Sequence, residues 1–270
     1  MPFPAWKELL TRTLASRVEG LGASALDTIG GLGRFGVLFG SAASLALRRP
    51  YRAHLFFKQM EFIGNKSLGV VILTGMFTGM VMTFQTYRSL RDFGSETIVG
   101  GLVAVAMVRE LGPVLSSLMV NARAGSAIAA EMGTMRVTEQ IDALFAMAVS
   151  PVQYLVSPRV VAGMVMLPLL TAISDLTGIF GGYLVGVVLL RIDPGIFFAK
   201  IVDFVTLSDI MQGSFKAMVF GTLLSMVGCY KGYYTHGGAE GVGRATTEAV
   251  VISAVSILFC DYLITVFWQS

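Results

Sequence analysis

Five stretches of the chain stay apolar long enough to cross a bilayer, for which a helix needs about 20 apolar residues over a hydrocarbon core of roughly 30 Å. Residues 68–87 form such a run without a charge. Residues 97–122 form a second, interrupted by Arg109-Glu110 and then Gly112-Pro113. Residues 160–190 form a third with Asp175 at its centre, residues 210–230 a fourth with Lys216, and residues 249–268 a fifth with Asp261. The pattern predicts an all-α integral membrane protein: an N-terminal region over 1–66, then a five-span domain over 67–270. Gly75 and Gly79, and Gly178, Gly182 and Gly186, recur at helical spacing and predict close helix–helix approach.

The N-terminal region reads differently. Residues 1–20 mix Lys7, Glu8, Arg12, Arg17 and Glu19 with Leu9, Leu10, Leu14 and Val18, so the uninterrupted apolar core of a signal peptide is missing. Leu10, Leu14 and Val18 share one helical face. Residues 22–47 are glycine-rich, carry Arg34, and contain only a short apolar run at 35–39. One or two amphipathic helices lying in the membrane interface are expected, with a re-entrant segment or a sixth span as the alternatives.

Lys and Arg orient the chain. Nine of them precede Leu68, and Arg123, Arg136, Arg159, Lys231 and Arg244 fall in connections on the same side. Arg88, Arg91, Arg191 and Lys200 fall on the other. The positive-inside rule puts the N-terminus in the cytoplasm and Ser270 outside. The outer connections are short, with Asp193-Pro194-Gly195 expected as a turn. The inner connection at 123–159 is longer. Gly133 is expected to break its first helical run, and a short helix is expected from Thr138 to Met147. Thr138 would cap this helix, with Glu139 and Asp142 at the positive dipole end and Ile141, Leu144 and Phe145 on one face. Ser150-Pro151 would end it, and Ser157-Pro158 would open the next span. Such a helix is either a docking knob for a cytoplasmic partner or a plain surface helix.

Composition narrows the function. The chain is 54% hydrophobic and 14% charged, which excludes an ordinary soluble enzyme, a disordered chain and a disulfide-stapled domain. Its net charge of +3 is too small to argue for nucleic acid. Cys229 and Cys260 lie in apolar stretches, and with no Cys/His cluster no metal site is expected. A Gly-x-x-x-x-Gly-Lys-Ser/Thr phosphate loop, Gly-x-Ser-x-Gly and His-Glu-x-x-His are all absent, so no catalytic residue is assigned and no cofactor is expected on this chain. His54 and His236 read as solvated residues of inner connections. The ionisable groups at membrane depth are Arg109, Glu110, Asp175, Lys216 and Asp261, with Asp209 at the outer edge. Each is costly in lipid and should face protein or a wet cavity. Arg109 and Glu110 sit beside a Gly-Pro break, which is tolerated where freed backbone lines a cavity. Lys216 is the candidate to neutralise Asp175 or Asp261, with Asp209 as a further partner.

Arg109-Glu-Leu-Gly-Pro, followed by Asn121-Ala-Arg-Ala-Gly-Ser-Ala-Ile-Ala-Ala-Glu-Met-Gly-Thr-Met-Arg-Val-Thr-Glu-Gln-Ile-Asp-Ala-Leu, closely resembles the signature of the MlaE/YrbE permease family. Ser157-Pro-Arg, Pro168-Leu-Leu, Gly243-Arg-Ala-Thr-Thr and Cys260-Asp-Tyr-Leu-Ile-Thr extend the likeness from about Pro50 onward. Where the family often has Gly-Arg, this chain has Asn121-Ala-Arg. The resemblance implies the membrane subunit of an ABC transporter that moves phospholipids between the inner and outer membranes of Gram-negative bacteria. It implies a homodimer in the inner membrane, working with a cytoplasmic ATPase that carries ATP and Mg, a STAS-domain subunit and a periplasmic MCE-domain protein. By the motif match, 131–144 holds a coupling helix that docks on the ATPase, through Glu131, Gly133, Thr134, Thr138, Glu139, Gln140, Asp142 and Leu144. Arg109, Glu110, Gln85 and Tyr87 would line the lipid cavity, and Lys216 and Asp261 also match family positions. The rival readings are an ion-coupled transporter or channel using the buried charges, a lipid-modifying enzyme, which would need a nucleophile or base cluster, and a membrane scaffold.

Overall fold

The computed structural model describes residues 29–31, 33–45 and 53–269, and among them every regular element is helical. The shared face of Leu10, Leu14 and Val18 and the reading of residues 1–20 lie outside the described residues. Helix α1 (Ile29–Leu45) is short and apolar. Then come α2 (Ala53–Ile63), α3 (Asn65–Arg91), α4 (Val99–Ala106), α5 (Gly112–Val120), α6 (Ser126–Val137) and α7 (Gln140–Ala146). Helices α8 (Ser157–Tyr183), α9 (Pro194–Phe204), α10 (Leu207–Tyr233) and α11 (Gly238–Gln269) complete the chain.

Among the described residues, five helical segments are long and apolar enough to cross a membrane: Ala53–Arg91, Glu96–Val137, Val152–Leu189, Leu207–Tyr233 and Gly238–Trp268. They contain the five predicted spans and, the third at its outer end apart, overrun them. The first gains α2, which the apolar count had placed in the N-terminal region because Lys58, Glu61 and Lys66 interrupt the pattern. Gly64 joins α2 to α3, and a Cβ there would lie 2.1 Å from Met166 Cε.

Glycine sets the spacing between α3 and α8. A Cβ on Gly79 would lie 1.8 Å from the Gly178 carbonyl oxygen, and one on Gly181 2.3 Å from that of Met76. Backbone therefore meets backbone along this seam, as the glycine spacing predicted. Gly221 on α10 meets Gly163 on α8 in the same way, at 2.2 Å.

The Gly112-Pro113 break is not a break. Helix runs from Glu96 to Val137, and the irregularity is absorbed in a π-helical turn at Met107–Leu111, with another at Asn121–Gly125. Pro113 cannot donate to the residue four before it, and a widened turn accommodates that loss without ending the helix. Gly133 does not break α6 either. It is buried where α6 meets the α10–α11 connection, and a Cβ there would lie 3.2 Å from Thr235 Oγ1.

Two further local elements differ from the expected ones. Thr138 does not cap α7: Glu139 occupies the cap in the left-handed region (φ 60°), and Thr138 Oγ1 donates back to the Thr134 carbonyl. Asp193-Pro194-Gly195 is not a bare turn but the start of α9, with Asp193 accepting from Ile196 N at 3.0 Å. Asp at the cap and Pro in the first turn are helix-start chemistry as well as turn chemistry.

The larger apolar core lies toward the α7 end and includes Ile63, Met132, Ile141, Leu167 and Phe220. A smaller cluster of Val99, Val103, Met107, Ile192 and Phe197 lies under α9. Helix α1 docks on the α7 end. The Tyr230 hydroxyl donates to the Gly31 carbonyl (3.0 Å), and the Ser157 hydroxyl to that of Ala42 (3.0 Å).

Candidate functional site

The π turn at Met107–Leu111 carries Arg109 and Glu110 toward α10. Arg109 Nε donates to Asp209 Oδ1 at 2.6 Å. Asp209 is also the first-turn acid of α10: its Oδ2 accepts from Thr206 N (2.8 Å) and Thr206 Oγ1 (2.9 Å), closing a capping box. The same carboxylate therefore starts α10 and anchors Arg109.

Two turns along α10 lies Lys216, fully buried. Its ammonium donates to Glu110 Oε2 at 2.5 Å and Thr265 Oγ1 at 2.7 Å, and it forms an ion pair with Asp261 Oδ1 at 2.8 Å without hydrogen-bond geometry. The Thr265 hydroxyl reaches Glu110 Oε1 at 3.1 Å and the Asp261 carbonyl at 2.9 Å. One cation thus ties the second, fourth and fifth spans together. Asp209 and Lys216, seven residues apart, share a face of α10 about 10 Å long. Two adjacent residues of one helix grip both ends of it.

These contacts sort the predicted charge network. Asp261 pairs with Lys216 as one of the two options foresaw. Asp209 does not, since Arg109 takes it. Asp175 does not either: it packs against Gly112, where a Cβ would lie 1.7 Å from its Oδ1, and that oxygen accepts no hydrogen bond from a described residue. Thr265 and Thr206 were missed. A hydroxyl four residues beyond Asp261 on the same helical face was the available signal for the first.

The cluster is sealed on one side only. The Arg109 side chain is 40% exposed and that of Glu110 37%, against 0% for Lys216. Arg109 therefore offers part of its guanidinium to whatever lies beyond the single chain. Gln85 is exposed on α3, and Tyr87 packs in the apolar cluster under α9. The polar contacts of Arg109 and Glu110 run to α10 and α11, so neither Gln85 nor Tyr87 joins this cluster through a side-chain bond.

At the opposite end, the stretch singled out as a coupling element folds as the end of α6 and a two-turn α7. Ile141 is fully buried and Leu144 packs on the core. Phe145, at 56% exposure, faces away from it, so the three do not share one buried face. Asp142 pairs with Arg136 at 2.7 Å, and Glu131 with the buried Arg159 at 3.0 Å. Thr134, Glu139 and Gln140 are exposed, with Thr134 Oγ1 donating back to the Ala130 carbonyl. Arg159 and Arg123 were read only as orienting charges. Arg123 is a clasp at the α2–α3 joint, donating to the Phe62 carbonyl (2.6 Å), the Ile63 carbonyl (3.3 Å) and Ser67 Oγ (2.8 Å). His54 and His236 are exposed. Among the described residues no group of three or more His, Cys, Asp or Glu is placed to hold a metal ion.

Residues 56–267 match the family model described as Permease MlaE. The chain is similar to a Rickettsia felis protein named "Probable ABC transporter permease protein", 44% identical over 87% of this chain and 90% of that one. It is similar to the Haemophilus influenzae intermembrane phospholipid transport system permease protein MlaE, 39% identical over 92% of this chain and 95% of the other. It is also 40% identical to the chloroplastic protein TRIGALACTOSYLDIACYLGLYCEROL 1 of Arabidopsis thaliana, over 78% of this chain and 60% of that protein.

Proposed function

The chain belongs to the MlaE permease family, and on that premise we propose that it is the membrane subunit of an ABC transporter moving phospholipids between the inner and outer membranes. A separate cytoplasmic ATPase binds and hydrolyses ATP with Mg. Two copies of the chain enclose the lipid cavity, a STAS-domain subunit accompanies the ATPase, and a periplasmic MCE-domain protein exchanges the lipid. The chain lies in the inner membrane with its N-terminus and α7 in the cytoplasm and Ser270 outside.

The observation that carries this reading is the half-open ion cluster. A guanidinium and a carboxylate at membrane depth cannot face lipid tails cheaply, so the exposed sides of Arg109 and Glu110 face a wet cavity or a second copy. Helix α11 fits the second role. Its membrane stretch is almost unburied within the chain, with Val251, Val255, Leu258, Phe259 and Phe267 exposed along it. In the dimer, apolar surface receives the acyl chains and Arg109 meets the headgroup phosphate, held in place by Asp209. ATP binding closes the ATPase dimer, draws the two α7 helices together and narrows the cavity, so that lipid passes to or from the periplasmic ring.

The ion-coupled alternative would use the same charges as a proton or cation path. The burial of Lys216 speaks against it, because its ammonium is fully enclosed and tied to Glu110, Asp261 and Thr265. Photocrosslinking of phospholipid to the reconstituted transporter tests the proposal. Arg109→Ala should lower crosslinking in the cavity about tenfold, the loss of one charge-assisted phosphate contact. Undiminished crosslinking removes the headgroup role from Arg109. Transport that follows an ion gradient without nucleotide overturns the ABC reading.

A further inference from the structure

The connection between α10 and α11 forms a half-open pocket of about 210 Å³ that the transport cycle above does not use. That is large against the roughly 30 Å³ one water takes in the liquid. Its polar lining comes from Lys231 and Tyr234 at the end of α10, His236 in the turn, and Arg244 and Glu248 on α11. Glu248 bridges the two cations, meeting Lys231 Nζ at 2.8 Å and Arg244 Nε at 3.2 Å, which leaves one net positive charge in the cavity. The Arg244 side chain is 83% exposed, so its remaining donors are open to a ligand.

The surroundings fix the depth of this cavity. Tyr230, Tyr233 and Tyr234 cluster beside it, Tyr234 lying tilted against Tyr230 (centroids 5.1 Å apart) and edge-on to Tyr233 (5.2 Å), and Phe35 of α1 meets Tyr230 edge-on at 5.4 Å. Amphipathic rings gathered at the end of a bundle mark the headgroup layer, and a basic pocket between spans at that level is suited to an anionic lipid head. The turn that carries Thr235 of the lining packs closely on α6, where a Cβ on Gly133 would lie 3.2 Å from Thr235 Oγ1 and 3.4 Å from Val242.

We propose that this pocket binds a phosphate group, carried by an anionic phospholipid of the adjoining leaflet or free in solution, at a site separate from the transport cavity. Lys231 and Arg244 engage the phosphate oxygens, and Tyr234 covers the site from the side. The proposal rests on the permease reading only for the assignment of the adjoining leaflet.

His236 reports occupancy, because it is exposed at the pocket, and His54, also exposed, serves as an internal control. The full chain is placed in lipid discs of phosphatidylcholine, or of an equimolar mixture with phosphatidylglycerol. It is treated with diethyl pyrocarbonate, and each histidine is quantified by peptide mass spectrometry. His236 should react about fivefold more slowly in the mixed discs, the preference one net positive charge gives an anionic headgroup, while His54 is unchanged. Millimolar inorganic phosphate added to phosphatidylcholine discs is the second arm: protection there and not by phosphatidylglycerol assigns the site to a free phosphate. Protection should vanish in Lys231→Gln/Arg244→Gln and in the milder Arg244→Gln alone, and persist in Arg109→Ala. No protection by either probe, or protection that survives both glutamine variants, overturns the proposal. The readout needs no transport, so it stands or falls apart from the phospholipid-permease assignment.

Discussion

Lys216 and Arg123 are both cations inside the bundle, yet they are satisfied by different kinds of acceptor. Lys216, near the α9 end, is completely enclosed and holds two carboxylates and a hydroxyl drawn from two other spans. Arg123, toward the α7 end, is only partly buried and holds two backbone carbonyls and a serine hydroxyl, all within the α2–α3 joint. The first arrangement balances charge between three spans, beside the Thr265–Glu110 hydrogen bond and the Arg109–Asp209 pair. The second satisfies backbone that Gly64 leaves without regular helical partners. A base inside the bundle thus serves as an electrostatic knot in one half and as a local backbone clasp in the other. The cost of removing each should differ accordingly.

Lys216→Met keeps the length and apolar stem of the side chain and deletes its charge. Glu110 and Asp261 are then left facing each other without a counter-ion, and breaking a buried pair in this way costs about 3–5 kcal/mol. The variant should fail to yield a monodisperse protein, or should melt far below the parent by fluorescence-detected size exclusion. Adding Glu110→Gln and Asp261→Asn to it should recover most of the loss, because neutral amides no longer repel. If the triple variant is as unstable as the single one, the role of Lys216 is packing and not charge.

Arg123→Ala removes hydrogen bonds to neutral groups only. The Phe62 and Ile63 carbonyls lose their donor, at a cost of about 1–3 kcal/mol, and the cation over the Phe62 ring (5.2 Å) is lost with it. The protein should fold with a lowered Tm, and proteolysis or hydrogen exchange should show the opening confined to α2 and the start of α3. Destabilisation spread evenly over the bundle would mean that the clasp is not local. No companion mutation to a carboxylate can rescue this variant, in contrast to Lys216→Met, which separates the two modes.

What the amino-acid pattern revealed follows the same division. The five spans were legible because length and apolarity are summed properties, and the α3–α8 seam was legible because glycine at four-residue spacing has few other uses. The buried ionisable groups were identified, since a charge in an apolar run stands out. Their pairing was only half legible: Lys216 had two acids within plausible reach, and its actual partners depend on the π turn that redirects Glu110. Helix α9 was hidden because Asp193-Pro194 opens turns and helices alike, and only the recurrence of Phe197, Ile201 and Phe204 on one face distinguishes them. Arg123 and Arg159 were counted as orienting charges, and their bonds to α2 and to Glu131 involve segments far away in the chain, which a local pattern does not reach.

The smallest expected effect on stability is also the sharpest test of the α7 end. Ile141 and Phe145 lie four residues apart on α7, but Ile141 is fully buried and Phe145 is 56% exposed. Phe145→Ser should therefore change stability by no more than about 0.5 kcal/mol. If α7 docks on the ATPase, however, an exposed aromatic at its tip is the kind of side chain that anchors an interface, and its truncation should cost about 2 kcal/mol of binding, roughly thirtyfold in affinity. Co-purification with the ATPase and a melting curve on the same sample read the two quantities together. Ile141→Ser is the counterpart: it should lower the Tm and weaken assembly only as far as folding is lost. A Phe145→Ser variant that melts and co-purifies like the parent would show that this face of α7 is not where the motor sits, whatever the fate of the ion cluster at the other end.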